Sequence, residues 1–387
     1  MRRGNIQIAS LQKNAIIKAS EQVGNMNGIG EHILCNELTK PLLDNLKRHP
    51  KRIVFPEGED VRLLKVAEQL VSEQAILPIL IGRKDVIRKL AEDEHISLKY
   101  VRIISPEKSS DFDLFCERYE RAEKMNGMAV PNVRELMKEP LRFACMMALY
   151  GQADGIVAGN SMVGGASVFR AVSRYRRSQE ADQPLFGVSV MVIDDFKKFG
   201  GEGIVFMADT GITPVPTVEN MAYYAVQAGK MARHLLGRPV QVSMVSASTL
   251  GSIPSVPSNR ARAAVELANS VLARELLTHD ISVEGEMQVD AALSPEAYQV
   301  RVRHSVLRRP SDVLIFPTLD AADLSKRFVG LLPSVKEYGM ILKDILFPIA
   351  EVPRLATEES IFGTSLIVAN QAIRFHQLYP DGVAPLY

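Results

Sequence analysis

Residues 52–58 read RIVFPEG, a short apolar run that a Pro-Glu-Gly turn ends. From Val61 the apolar residues recur at helical spacing as far as Val71. Residues 77–81 (LPILI) then form a second apolar run, which Gly82 ends. Because short apolar strands alternate with helices of 10–15 residues, this stretch predicts a parallel sheet covered by helices.

The same alternation continues along most of the chain. Thr217 stands where a helix N-cap is expected, and a short hydroxyl side chain is well suited to that position. The pattern predicts strands at 52–55, 77–81, 101–104, 155–158, 186–193, 204–208, 240–246 and 313–316, and helices at 84–92, 132–150, 217–236 and 259–278. The sequence therefore predicts an α/β protein.

Composition narrows the classes of function. The 387 residues carry 46 Lys and Arg against 45 Asp and Glu, a formal net charge of +1. This balance argues against a general binder of nucleic acid or membrane surfaces, and no apolar run is long enough to span a membrane. Cys35, Cys116 and Cys145 are too few and too scattered for a disulfide framework or a zinc site. We therefore expect a protein of a reducing compartment, the cytoplasm.

Residues 1–40 differ from the rest, because they begin Met-Arg-Arg-Gly and contain no acidic residue before Glu21. The segment is expected to be an extension, with an organelle address or a docking helix as alternatives. Residues 24–30 (GNMNGIG) are typical of a flexible joint.

A Gly/Ser-rich turn follows the predicted strand 155–158. It contains Ser161, Gly164 and Gly165, and Arg170 comes one turn into the helix that should follow. Glycine lets a backbone approach an anion closely, and a helix N-terminus offers free N–H groups. The turn is therefore a candidate phosphate site, the alternative being a tight turn before a solvated basic helix. A basic run at 301–309 is a further candidate for nucleotide phosphates, or a solvated loop.

Two more strand ends carry polar residues. Asp209 follows strand 204–208, and Ser252 closes the hydroxyl-rich stretch 246–252 after another strand. Either residue is a candidate ligand contact, since ligands of open α/β sheets bind beyond the carboxyl ends of strands. The alternatives are a capped loop and a serine turn. The acids within 284–292 (EGEMQVDAA) fit a strand better than a metal site, and the scattered histidines disfavour zinc.

Taken together, these stretches resemble the phosphate acetyltransferase and phosphate butyryltransferase family, and also the acyltransferase-like C-terminal domain of large bacterial malic enzymes. The resemblance runs from about residue 45 to about residue 375 in the family's order. It is carried by 53–62 (IVFPEGEDVR), 78–82 (PILIG), 153–159 (ADGIVAG), 206–211 (FMADTG), 246–252 (SASTLGS), 284–292 (EGEMQVDAA) and 313–317 (VLIFP).

The resemblance implies a two-domain α/β fold with parallel and mixed sheets, helices on both faces, and kinship to isocitrate and isopropylmalate dehydrogenases. It divides the chain into an extension, 1–44, a first domain of 45–185 with 332–387, and a second domain of 186–331, with the active cleft between the domains. It implies a homodimer that transfers an acetyl or other short acyl group between coenzyme A and inorganic phosphate. Coenzyme A is then a substrate, and no cofactor or metal is required.

Only some of the family's site residues are present in this sequence. Active members carry Asn-Asp-Leu-Ser-Arg-Gly, with an Asp six residues after the Arg as the base. Here the arginine is Arg354, but Pro353 replaces the serine and Ser360 replaces the aspartate. The adjacent Glu358 and Glu359 are the candidates to act as base in its place.

Two other arginines of the family are displaced. The helix after the glycine turn begins Arg-Pro in the family, whereas this sequence has Arg170 followed by Ala171. A second substrate arginine aligns with Glu123, and Arg121 lies two residues earlier. Fold residues are therefore retained better than reaction residues.

Three functions follow from this pattern. The first is a phosphate acyltransferase of acetate metabolism that interconverts acetyl-CoA and acetyl phosphate. The alternative is a catalytically degenerate module that binds coenzyme A or acyl-CoA for regulation or assembly, as the substitutions at 353 and 360 would allow. A dehydrogenase of the isocitrate type ranks last, because no cofactor fingerprint is present.

Overall fold

A computed structural model describes residues 35–125, 132–160, 165–177, 183–199, 202–302 and 310–378. The basic run 303–309, most of the N-terminal extension and Ser161 to Gly164 of the glycine turn lie outside these ranges. The described strands are β1 (Lys51–Phe55), β2 (Ile76–Ile81), β3 (Arg102–Ile104), β4 (Gly155–Ala158), β5 (Phe186–Ile193), β6 (Ile204–Ala208), β7 (Val240–Val245), β8 (Ile281–Met287), β9 (Val313–Ile315), β10 (Val335–Lys343) and β11 (Ile349–Glu351).

Helices connect most of these strands. They are α1 (Thr39–Arg48), α2 (Val61–Ser72), α3 (Lys84–Asp93), α4 (Phe112–Met125), α5 (Val133–Lys138), α6 (Pro140–Leu149), α7 (Gly165–Val172), α8 (Val218–Leu236), α9 (Val256–Arg274), α10 (Val289–Leu293), α11 (Pro295–Arg301), α12 (Leu319–Gly330) and α13 (Glu358–Leu378). The predicted α/β class is confirmed.

All eleven strands form one sheet in the order β3-β2-β1-β4-β11-β10-β5-β6-β9-β7-β8. β10 pairs antiparallel with both β11 and β5, and β5 pairs antiparallel with β6; the other neighbours are parallel. Consequently the strands β1, β4 and β11 run opposite to β6, β7 and β9. Their carboxyl ends lie at opposite edges of the sheet.

Helices cover both faces of this sheet. One buried cluster joins side chains of α1, α2, α8, α9 and α13, whereas a second joins α4, α6 and α7 on the other face. Helix α1 crosses residue 44, where we place the end of the extension, and its Leu42, Leu43 and Leu46 are buried in the first cluster. The division into two domains stays a prediction, and β10 hydrogen-bonds to strands of both.

Most predicted strands match the observed ones within two residues. Asn220 N donates to Thr217 Oγ1 at 3.2 Å, which confirms the predicted N-cap. The single helix predicted at 132–150 is wrong, since it divides into α5 and α6 at Glu139. Glu139 is extended, with a ψ of 120°, because the following Pro140 disfavours the helical conformation at the residue before it.

Helix α9 starts at Val256, three residues before the predicted helix. Ser255 caps it reciprocally with Ser258, and Pro257 occupies its first turn. Proline is compatible with that position, because N–H groups of a first turn have no partner within the helix. The helix therefore includes Pro257, which the predicted start at residue 259 left outside it.

Candidate active site

Three neighbouring strands, β1, β4 and β11, end at one edge of the sheet. The segments that follow them, 56–60, 159–160 and 352–357, therefore meet there. Val352 N donates to Ala158 O at 2.7 Å, which extends the β4–β11 ladder one residue past the end of β11. This is the kind of strand edge at which α/β proteins bind ligands.

Glu57 fixes the start of the glycine turn. Its Oε2 accepts from Gly159 N at 2.8 Å and from Asn160 N at 3.2 Å. Gly159 has a φ of +103°, and a Cβ added there would lie 2.7 Å from Val352 O. Only glycine fits this position, because it combines a left-handed backbone with close contact to a neighbouring carbonyl.

Arg62 joins all three segments. Its Nη2 donates to Asp60 Oδ2 and to Asn160 O, each at 2.6 Å, and its Nη1 donates to Arg354 O at 3.0 Å and to Ala356 O at 2.8 Å. The backbone that carries Arg354 is thus held to the glycine turn by one guanidinium. We call Arg62 and its four partners the arginine latch.

Asp60 anchors this latch. It caps helix α2 by accepting from Arg62 N at 2.9 Å, and Asn160 Nδ2 donates to it at 3.0 Å. Burial opposes its ionisation, but these hydrogen bonds and the charge of Arg62 outweigh it and hold the pKa of Asp60 below its usual range. Sequence analysis did not select Arg62 or Asp60, although an acidic N-cap directly after a strand end was a usable signal.

Arg354 itself is exposed at the edge of the site. Within the described part of the chain, no carboxylate forms an ion pair with its guanidinium. The adjacent Leu355 is 92% exposed, so this turn projects into solvent. An uncompensated guanidinium beside a glycine turn can bind a phosphate or carboxylate through two parallel hydrogen bonds.

The two candidate bases point to different neighbours. Glu358 lies 3.7 Å from Lys65, and its charge helps, with that of Asp60, to raise the pKa of Arg62. Glu359 pairs with Lys336 of β10 at 2.6 Å. Glu358 therefore lies on the side of the arginine latch, and Glu359 lies on the side of β10.

Glu351 is a third carboxylate at this edge, which sequence analysis missed. It ends β11, and its Cγ lies 2.7 Å from the position of a Cβ on Gly159. Burial raises its pKa; the charges of Glu337 and Glu57 add to the rise, and Lys326 opposes it. A carboxyl group with a raised pKa beside a strand-end turn is a good candidate for proton transfer near neutral pH.

Ser360 does not supply a substitute base. It is 8% exposed, and its hydroxyl donates to Glu337 O. The position that holds an aspartate in the family therefore contains a neutral side chain engaged with the backbone.

Asp209 and Ser252 lie at the opposite edge, after β6 and β7, and the structure does not bring them to Arg354. Asp209 is 3% exposed and accepts from three backbone N–H groups, those of Gly187, Gly211 and Thr213. Ser252 is exposed in a turn, where its Oγ accepts from Thr249 N at 3.0 Å. Their role in substrate binding stays a prediction.

The predicted strand covers only the first part of 284–292: Glu284 and Glu286 lie on β8, whereas Asp290 lies on α10. Glu286 is fully buried and accepts from Arg262 Nε at 3.1 Å and from Ser248 Oγ at 2.8 Å. Both the charge and the hydrogen-bonding capacity of the Glu286 carboxylate are therefore engaged within the protein, as expected for a paired carboxylate on a strand. Across the described ranges, no three His, Cys, Asp or Glu side chains lie close enough to share a metal ion.

Of the remaining predicted residues, Ser161 and Gly164 lie outside the described ranges, and the others lie on two helices. Gly165 begins α7, and Arg170 is exposed in its last turn. Arg121 is exposed on α4, on the same helix as Glu123. Glu123 is 5% exposed and pairs with Arg174 at 2.6 Å.

The family model described as phosphate acetyl/butaryl transferase matches residues 37–369. The chain belongs to this family. It is 30% identical to the phosphate acetyltransferase of Thermoanaerobacterium thermosaccharolyticum over 87% of this chain and 99% of that protein. It is also 30% identical to the phosphate acetyltransferase of Acetivibrio thermocellus over 86% of this chain and 97% of that protein.

Solved structures agree with this assignment. A phosphotransacetylase from Staphylococcus aureus covers 87% of this chain and 98% of its own, with 26% identity and a TM-score of 0.76. One from Streptococcus pyogenes covers 87% of this chain and 99% of its own, with 25% identity and a TM-score of 0.75. The resemblance to the phosphate acetyl/butaryl transferase family is therefore confirmed across sequence and fold.

The resemblance to the family implies an arginine at the position of Glu123, and this equivalence stays a prediction. Arg174, in the segment after α7, pairs with Glu123 and compensates its buried negative charge. Glu123 is therefore not left as an unpaired buried carboxylate.

No helix in the described ranges is long and apolar enough to cross a bilayer.

Proposed function

We propose that this chain is a phosphate acetyltransferase, which transfers an acetyl or other short acyl group between coenzyme A and inorganic phosphate. The observation that carries the proposal is the exposed Arg354 guanidinium, held by the arginine latch beside the glycine turn in a chain of this family. Arg354 binds the phosphate or the acyl phosphate. It also stabilises the negative charge that develops on the carbonyl oxygen during transfer.

The thiol of coenzyme A attacks the acyl phosphate carbonyl directly, forms the thioester bond and displaces inorganic phosphate. It must lose its proton to do so, because the thiolate is the nucleophile. Burial raises the pKa of Cys145 to about 12 and also raises those of Cys35 and Cys116, so these protein thiols are poor nucleophiles at neutral pH. We therefore infer a single transfer step with no covalent enzyme intermediate.

Glu351 and Glu358 are the best-placed bases for the coenzyme A thiol. Both lie at the edge of Arg354 and the latch, whereas Glu359 is held by Lys336 at 2.6 Å. A further anionic group of the substrates, other than the one that Arg354 binds, is proposed to bind at the glycine turn and the helix after it, through Ser161, Gly164, Gly165 and Arg170. Arg121 is proposed to contact substrate at the periphery of the site. Coenzyme A acts as a substrate, and the reaction needs no metal.

A homodimer and a cytoplasmic location complete the proposal. The location rests on the three cysteines, which are free thiols, Cys116 and Cys145 being buried and Cys35 half-buried. A reducing compartment suits such a set.

A second candidate function is a module that binds acyl-CoA without turnover. The engaged, neutral Ser360 favours it, because the family's base is missing at that position. Under this alternative, coenzyme A binds but no acyl group is transferred.

The test follows thiol release by the purified full chain from acetyl-, propionyl- and butyryl-CoA, with and without phosphate. Phosphate-dependent turnover is expected, and Arg354→Ala should lower kcat by about 10²- to 10³-fold. Arg88→Ala, an exposed arginine on α3, is the matched control and should leave kcat unchanged. Coenzyme A binding by calorimetry without turnover would favour the module instead.

Single Gln variants at Glu351, Glu358 and Glu359 identify the base. Measured in the direction of acyl-CoA formation from acyl phosphate and coenzyme A, loss of the base should lower kcat by about 10²-fold or more and remove the acidic limb of the pH profile, while KM changes little. Glu359→Gln is expected to retain most activity.

A further inference from the structure

A cluster of cations surrounds the end of β10, far from the arginine latch. Lys343 ends this strand one residue after Leu342, which pairs with Ile349 at the start of β11, whereas Arg354 follows the last residue of β11. The cluster therefore lies at the opposite edge of the sheet. We call it the Lys343 cluster, and its cationic members are Arg176, Arg177, Lys230, His234, Lys343 and Arg374.

Backbone contacts bring four separate elements together here. Arg176 forms a β-bridge with Ile345, and Arg177 N donates to Asp344 O at 2.7 Å. Across the cluster, Arg374 Nη1 of α13 donates to Lys230 O of α8 at 3.4 Å. The positions of the charges are thus fixed by the fold.

Positive charge exceeds negative charge in this cluster. Burial lowers the pKa of Lys343 to about 8, and Arg177, Arg374 and Lys230 lower it further against the opposing charge of Asp344. Burial also lowers the pKa of His234, and Arg374 and Lys343 add to that shift. Cations that depress one another's protonation in this way are in mutual repulsion.

The carboxylates nearby compensate only in part. Glu275 pairs with Lys230 at 2.6 Å. Burial raises the pKa of Asp344, although a hydrogen bond from Tyr223 and the charges of Lys343 and Arg177 oppose the rise. Two buried polar atoms in the cluster, Asp344 Oδ2 and Arg176 Nε, have no hydrogen-bond partner.

An unpartnered guanidinium N–H is a donor without an acceptor, and leaving it so is costly. An anion that entered the cluster would supply acceptors and relieve the repulsion among the cations. Guanidinium groups favour phosphate, because their planar N–H pairs match two of its oxygens. A single negative charge would leave most of the cluster uncompensated.

We propose that the Lys343 cluster binds a multivalent phosphate-bearing anion at a site separate from Arg354. The site stands on its own residues and does not depend on the proposed transferase activity. Its ligand is a free polyphosphate or the phosphate chain of a nucleotide, which share this chemistry.

The test titrates the full chain with inorganic pyrophosphate by calorimetry, with ATP and AMP as further arms. Lys343→Gln and Arg374→Gln should each weaken pyrophosphate binding by about tenfold or more. Lys343→Arg should retain binding, and Asp344→Asn should tighten it because a carboxylate is removed. Arg88→Gln, an exposed arginine on α3, is the matched control for loss of one charge and should bind as the unmodified chain does.

The ligand arms separate the sources. Equal affinity for pyrophosphate and ATP indicates a site for phosphate groups alone, whereas tighter ATP binding indicates a nucleotide site that also contacts the base or ribose. Circular dichroism checks that each variant folds, and Arg374→Gln, at the helix surface, remains available if Lys343→Gln does not fold.

Two results would overturn the proposal. One is the absence of pyrophosphate binding by the unmodified chain. The other is binding that Arg354→Ala abolishes and that Lys343→Gln and Arg374→Gln leave unchanged, since the anion would then occupy the catalytic edge. Failure of turnover in the transferase assay leaves this site unaffected, so the two proposals can fail separately.

Discussion

Replacing Arg62 with methionine should release the turn that carries Arg354. The substitution keeps much of the side-chain length and removes the guanidinium. It deletes hydrogen bonds to the carbonyls of Asn160, Arg354 and Ala356, together with the pair to Asp60. Among the described residues, the β4–β11 ladder would still connect the glycine turn with the turn that carries Arg354.

The size of the effect follows from these contacts. A hydrogen bond from a charged donor contributes about 1.5–3 kcal/mol when buried, and we reduce this to about 1 kcal/mol because the Arg62 side chain is 30% exposed. Three such bonds and the weakened cap at Asp60 give a loss of about 2–4 kcal/mol in the free energy of unfolding. Arg62→Lys should fall between the two, since an ammonium group cannot reach all four partners.

The assays are urea unfolding and the phosphate-dependent release of coenzyme A. We expect Arg62→Met to lower the urea midpoint and to lower kcat/KM about tenfold or more, because Arg354 loses its position. Arg83→Met is the matched control: Arg83 also forms a two-bonded pair, with Glu59, but it is 72% exposed and should change neither quantity appreciably. The reasoning is refuted if Arg62→Met unfolds at the same urea concentration as the unmodified chain and turns over at the same rate.

Three further outcomes are expected. Gly159→Ala should lower both the free energy of unfolding and kcat, because the new Cβ would lie 2.7 Å from Val352 O. Urea unfolding and thiol release measure the two losses. An unchanged kcat would contradict the close contact between position 159 and Val352. Asp209→Asn should lower the free energy of unfolding by about 1–3 kcal/mol, since an amide group cannot accept hydrogen bonds from Gly187, Gly211 and Thr213 together. The KM for phosphate should stay unchanged. A raised KM would instead support a role of Asp209 in substrate binding. Glu351→Gln should be more stable than the unmodified chain at pH 7, and the difference should vanish near pH 4. Because the pKa of Glu351 is raised, the folded chain binds the carboxyl proton more tightly than the unfolded chain, and folding stability is lost as the pH rises through the pKa of the folded state. Equal stability of Glu351→Gln and the unmodified chain at pH 7 would contradict this direction.

Local sequence patterns predicted most of the sheet because strands buried on both faces form short, continuous apolar runs. The runs at 155–158, 186–193 and 204–208 match observed strands residue for residue. Strand β10 was not predicted: it mixes charged and apolar residues, and its partners β11 and β5 are set by the whole sheet. Long-range pairing of this kind leaves little trace in a single sequence.

The candidate site was predictable only in part, for a related reason. Arg354 was found through the resemblance to the family. The latch was missed because Arg62, Asn160 and Arg354 are far apart in the chain and meet only when β1, β4 and β11 become neighbours. Asp209 and Ser252 were selected because they follow strands, but a strand end identifies an edge only when the strand's direction in the sheet is known.

The central strand β10 has a mechanical consequence. Because it is hydrogen-bonded to β5 along its length and to β11 at residues 340–342, the two halves of the sheet share this one strand. Rotation of one half against the other would have to distort this shared strand, so we expect substrate access to depend on the loops at each edge of the sheet. In hydrogen–deuterium exchange, the amides of β10 should accordingly be among the slowest in the molecule, with or without coenzyme A.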